Sequence, residues 1–158
     1  MTEDDLIHFV SSMSGVVTVT AGEANGAPEG AWGDTFFFYD PAEDVPTSQR
    51  LPFATIVTSD YDGFDMASDL NRPGVFRLNI AVGHDVYQDL LGHPPAAHAD
   101  QADIDYTATD RLLPHPVYAS QAWVSIVNPG EGTTAQARSL LEAARARAAE
   151  RHERRRSV

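Results

Sequence analysis

Residues 31–40 read AWGDTFFFYD, and the four consecutive rings of Phe36, Phe37, Phe38 and Tyr39 decide what kind of fold the chain can adopt. Aromatic residues favour extended structure, and Asp40–Pro41 closes the run, so 34–39 is predicted as a strand. Side chains alternate across a strand, which sends Phe36 and Phe38 one way and Phe37 and Tyr39 the other. Both faces of the parent sheet are therefore aromatic, and each needs a cover.

Working outward, Thr2 followed by Glu3, Asp4 and Asp5 reads as a helix cap with acids in the first turn, where they meet the positive end of the helix dipole. Leu6, Phe9, Val10 and Met13 recur at helical spacing, giving a helix over 3–13 that Gly15 ends. The β-branched VVTVT at 16–20, then 52–59 and 74–82, read as further strands. GHDVYQDLLG (83–92) reads as a two-turn helix, a weaker strand is placed near 104–108, and SQAWVSIVNPG (120–130) contains another strand. Thr133 or Thr134 opens a last helix that turns Leu140, Leu141, Ala144 and Ala148 inward. This order predicts a single α+β domain over 1–150, two-layered, with a largely antiparallel sheet and the N- and C-terminal helices on one face. The closing RHERRRSV (151–158) reads as an Arg-rich, disordered tail.

Two terminal helices cover one sheet face only. The far face then needs loops 40–52 and 92–118, a pocket, or a second copy of the chain, and monomer and homodimer both remain open.

Charge narrows the partners. The chain of 158 residues has no lysine and no cysteine, and carries −16 over residues 1–137 against +4 over 138–158, together its net −12. A body this acidic repels phosphate backbones, which excludes nucleic acid as its partner. The acidic N-terminus and the lack of a long apolar run point to neither secretion nor a membrane, so the expectation is a cytoplasmic protein. Lysine-free, Arg-rich composition is what a GC-rich genome produces.

Candidate chemistry is sparse. Asp60, Asp62, Asp65 and Asp69 crowd one loop, but Gly63 and Asn71 stand where a calcium loop needs other residues. His84, His93, His98 and His115 match no zinc spacing, and no cofactor motif is present. Arg77 interrupts an apolar strand and demands either an acidic partner within the protein or an anionic ligand. His115, Tyr118, Gln121 and Trp123 bring rings and hydrogen-bonding groups into one loop-to-strand stretch. The resulting ligand-binding set is Trp32, Phe37, Tyr39, Arg77, Tyr118 and Trp123, with His84 and His115 as acid–base candidates. Two functions follow: a non-catalytic module that binds a small organic molecule or a protein, or a small enzyme of specialised metabolism acting by imidazole chemistry on an anionic substrate.

WGDTFFFYDP, RPGVFRLNIAVG and HPVYASQAWVSIVNP together resemble a family of small actinobacterial proteins of unknown function, over nearly the whole chain from Leu6 to Ala148. The order of strand, short helix, Trp-bearing strand and closing helix is, more loosely, similar to the YjbR-like fold, which implies a shape related to frataxin. No catalytic residues come with either likeness. The double-wing, DNA-binding-like shape described for the YjbR-like group suits neither this acidity nor the absence of lysine.

Overall fold

In a computed structural model that describes residues 1–101 and 103–156, the aromatic run forms β2 (Thr35–Tyr39) between β1 (Val16–Thr20) and β3 (Ala54–Val57). β4 (Arg77–Ala81), β6 (Trp123–Val127) and β5 (Leu112–Pro114) complete one six-stranded sheet of order β1-β2-β3-β4-β6-β5, with every neighbouring pair antiparallel. α1 (Glu3–Ser11) and α3 (Thr134–Arg156) lie on one face, and α2 (His84–Leu91) follows β4. The α+β class and the terminal-helix layer expected from the sequence are what the structure contains.

Register explains the two faces. Phe37 stands opposite Ala54, Ala54 opposite Ile80, and Ile80 opposite Val124, a row wholly buried beneath the helices. Leu6 and Val10 of α1 and Leu140, Leu141 and Ala144 of α3 pack on this row. Each large apolar side chain hidden there contributes roughly 1.5–3 kcal/mol. The alternate row runs Phe36, Thr55, Asn79 and Ser125 on the far face. Phe37 and Tyr39 are thus on the helix side, which buries Phe37 completely in the core and takes both away from the far face. Tyr39 is held there by the Arg145 guanidinium at 5.0 Å and by the edge of the His152 ring at 5.4 Å.

Local chemistry accounts for the shifted boundaries. α1 opens on a reciprocal cap, Asp5 N donating to Thr2 Oγ1 at 3.0 Å and Thr2 N to Asp5 Oδ2 at 2.9 Å. It stops at Ser11 rather than residue 13, and the Ser12 hydroxyl donates back to Phe9 O at 2.8 Å. The strand expected near 104–108 is instead a turn, because Asp105 Oδ1 accepts the Thr107 amide at 3.0 Å and competes with ladder pairing. The edge strand falls at Leu112–Pro114. α3 continues to Arg156, which reaches Asp44 at 3.2 Å, so residues 151–156 are helix where a tail was expected; 157 and 158 lie outside the described residues. Among the described residues no helix is long and apolar enough to cross a membrane.

Gly15 links α1 to β1 at φ 78°, and a Cβ there would sit 2.5 Å from Tyr39 Cε1. Gly15→Ala should therefore lose about 1–2 kcal/mol from the left-handed backbone alone, and moving the Tyr39 ring adds to that. Urea unfolding of the variant beside the wild type measures the loss.

Candidate ligand-binding site

The far face is built around Arg77. Its place in β4 makes it a neighbour of Thr55 and Asn79 rather than of the helices, and it is completely buried. A buried guanidinium must satisfy five N–H donors and one charge. The segment 60–73 provides most of this. Tyr61 and Asp65 exchange backbone hydrogen bonds at 2.9 Å, and Asp60 Oδ1 accepts the Leu70 amide at 2.8 Å, folding the segment back over the sheet. Asp65 then meets Arg77 through two parallel bonds, Nη1 to Oδ1 at 3.0 Å and Nη2 to Oδ2 at 2.5 Å. Nη1 also donates to Ser68 Oγ at 3.0 Å, and Nε donates to Asn79 Oδ1 at 2.8 Å. Of the two partners the sequence allowed for Arg77, the structure contains the internal carboxylate.

A second buried carboxylate pins the same segment. Asp34, just before β2, accepts Thr58 N at 2.8 Å and Thr58 Oγ1 at 3.1 Å on one oxygen, and the Tyr61 hydroxyl on the other. Burial raises the pKa of Asp34 against the pull of these bonds, and burial together with Asp34 raises that of Tyr61, so the phenol keeps its proton.

His115 supplies the remaining neighbour of Arg77. Its Nδ1 accepts two backbone amides, Val117 at 3.0 Å and Tyr118 at 2.9 Å. A nitrogen that accepts twice carries no proton, so in the neutral ring the proton is on Nε2. Burial, and then the Arg77 charge, lower the His115 pKa to about 3 against the opposing effect of Asp65, so the ring is neutral at physiological pH. Nε2 lies 3.4 Å from Arg77 Nη2. Four Arg77 N–H groups already have acceptors, so the fifth faces an N–H rather than a lone pair.

Arg77 and His115 border a cavity of about 470 Å³, within the usual range for small-molecule sites, with the Arg77 side chain sealed from solvent and His115 nearly so. Phe36, Tyr61, Phe64, Tyr118 and Trp123 wall it. The rings of Phe64 and Tyr118 are 6.1 Å apart and remain 58% and 41% exposed, which places them at the mouth.

The sequence model for DUF6194, a family of unknown function, matches residues 1–157. The chain belongs to DUF6194. No curated protein sequence matches it. Among solved structures it is similar to a Deinococcus radiodurans protein with a DUF419 domain, at 14% identity and a TM-score of 0.48, over 90% of this chain and 75% of that one.

Of the residues singled out from sequence, this DUF6194 domain brings Arg77, His115, Tyr118 and Trp123 together at one cavity. Trp32 lies elsewhere, 41% exposed with its indole N–H donating to Ala27 O at 2.9 Å. His84 begins α2, exposed, on a separate cleft beside Gly83 and Arg147. The helix is capped by Gly83 without a side chain, so His84 does not serve as its cap. Strand parity from Arg77 puts Asn79 on the same face, as the structure has it. Phe36 and Asp65 were missed: the sheet register would have found Phe36, but nothing local distinguishes Asp65 from Asp60, Asp62 and Asp69.

Proposed function

We propose that this protein is a non-catalytic binding module whose far-face cavity holds a small, flat organic molecule by one oxygen acceptor. The observation that carries this reading is the convergence of Arg77 Nη2 and His115 Nε2, two donors 3.4 Å apart beneath a ring-lined cavity. An oxygen bridging them from the cavity side, about 2.9 Å from each, accepts from both once a small opening of the wall exposes the two groups, and the hydrocarbon body of the ligand lies against Phe36, Tyr118 and Trp123. The floor is electrically balanced, since Asp65 neutralises Arg77 and His115 is uncharged. A neutral carbonyl therefore suits it better than the anion the sequence suggested, because a carboxylate would bring an uncompensated charge into a buried site. Acid–base catalysis draws no support: a ring with its pKa near 3 is far from the value near 7 that proton transfer favours, and His84 lines a different cleft.

Benzamide, benzoate and toluene test the proposal as probes of equal shape and different acceptor. In ¹H–¹⁵N spectra benzamide is expected to shift the Val117 and Tyr118 amides and the Trp123 indole at millimolar concentration. Benzoate should bind more weakly, and toluene should leave the two amides in place. Tyr118→Ala should weaken the benzamide response severalfold. Silence of the Val117 and Tyr118 amides toward benzamide would overturn the reading.

A further inference from the structure

A second cavity lies at the C-terminal end of α3. Arg147, Arg151 and Arg155 recur every four residues and share one helix face, with Cα atoms about 6 Å apart along the axis. The positions three and four away from Arg151 hold Arg147, Ala148, Arg154 and Arg155, so no acid on its own helix can face it. Like charges at that spacing destabilise a helix. Arg50 pairs with Asp40 at 2.9 Å and Arg156 with Asp44 at 3.2 Å, and within the row Arg147 Nη1 donates to Ala81 O at 3.5 Å.

Arg151 is half-buried and borders two adjoining hollows. One, of about 300 Å³, is walled by Phe38, Tyr39, Arg50 and Arg155. The other, of about 310 Å³, is walled by Gly83, Trp123 and Arg147. The backbone is shaped to admit this row: Gly83 has φ 87°, and a Cβ there would lie 2.5 Å from Arg147 Cζ. Burial and the charges of Arg147, Arg155 and Arg154 lower the Arg151 pKa, the direction that a bound anion would reverse.

We infer that the Arg147–Arg151–Arg155 row binds a small phosphorylated molecule through a diphosphate group laid along α3. Guanidinium forks pair bidentately with phosphoryl oxygens, and three of them spread over about 12 Å of helix suit two linked phosphoryl groups better than one. This site shares Trp123 with the aromatic cavity but does not depend on it, and so stands or falls separately from the carbonyl site.

Inorganic pyrophosphate and inorganic phosphate, each titrated by calorimetry at constant ionic strength, provide the test. Pyrophosphate is expected to bind at least tenfold tighter than phosphate. Arg151→Gln should lower pyrophosphate affinity at least tenfold without lowering the melting temperature, whereas Arg138→Gln, on the same helix but stacked on Phe9, should leave it unchanged. Equal affinity of Arg151→Gln and wild type, or equal loss in Arg138→Gln, would overturn the inference, as would pyrophosphate heats no larger than those of matched sodium chloride.

Discussion

Arg77→Leu should cost about 3–5 kcal/mol of folding stability, the loss typical when one member of a buried ion pair is removed. The size follows from what the change strands rather than from what it deletes. Asp65 would keep a buried carboxylate without its two N–H partners, and Asn79 Oδ1 and Ser68 Oγ would each lose a donor. Replacing both charges, in Arg77→Leu with Asp65→Leu, should recover much of the deficit, because a well-packed apolar pair often equals or exceeds a buried salt bridge in stability. Urea midpoints for the two single variants and the double variant form a cycle whose coupling energy reports the pair. Additive losses would mean that the pair does not hold segment 60–73 against the sheet. The same experiment bears on function, since an Arg77 committed to Asp65 is a structural residue with a single N–H left over for a ligand.

What the sequence disclosed depended on how far apart the deciding residues lie. Strands β1, β2, β3, β4 and β6 and all three helices were legible because periodicity and caps are local, as in the Thr2–Asp5 cap and the β-branched run at 16–20. The two-faced character of β2 was also legible, and so was the placement of Arg77 on the face away from the helices. Which pair of rings shared that face was not. It depends on the pairing of Phe37 with Ala54 and of Ala54 with Ile80, a relation between strands that no single segment encodes. The cover of the far face was expected from loops 40–52 and 92–118. Leu51, Pro52, His115 and Tyr118 do contribute to it, but segment 60–73 brings Tyr61, Phe64 and Asp65. A buried arginine selects its partner by three-dimensional reach, and a loop rich in aspartate does not announce which one will be chosen.

Acid should expose the cost of keeping His115 neutral. In the unfolded chain the ring takes a proton near pH 6.5, while in the folded protein it resists until about pH 3. Between those values the unfolded state binds more protons, so stability is complete above pH 6.5 and falls as pH drops toward 3. By pH 5 the loss from this one ring should reach about 2 kcal/mol relative to pH 8. Protonation within the fold would have to occur at Nδ1, breaking the bonds from Val117 and Tyr118, and would place a second cation beside Arg77. Other groups are separable by their windows. His98, whose pKa burial also lowers, acts with the same sign and remains in any His115 variant. Hydrogen bonds lower the pKa of Asp110, and Arg50 with two backbone amides lowers that of Asp40 against the effect of burial; both lose their contributions only below about pH 4. Asp34, raised by burial, works in the opposite direction. His115→Asn retains an acceptor for the two amides but cannot titrate. Its unfolding free energy should therefore change by about 2 kcal/mol less than that of the wild type between pH 8 and pH 5. Identical pH slopes for the two proteins would mean that His115 takes up its proton as readily in the fold as in the unfolded chain, so that the donor pair proposed for the carbonyl oxygen gains a charge below about pH 6.5 and there favours an anion instead.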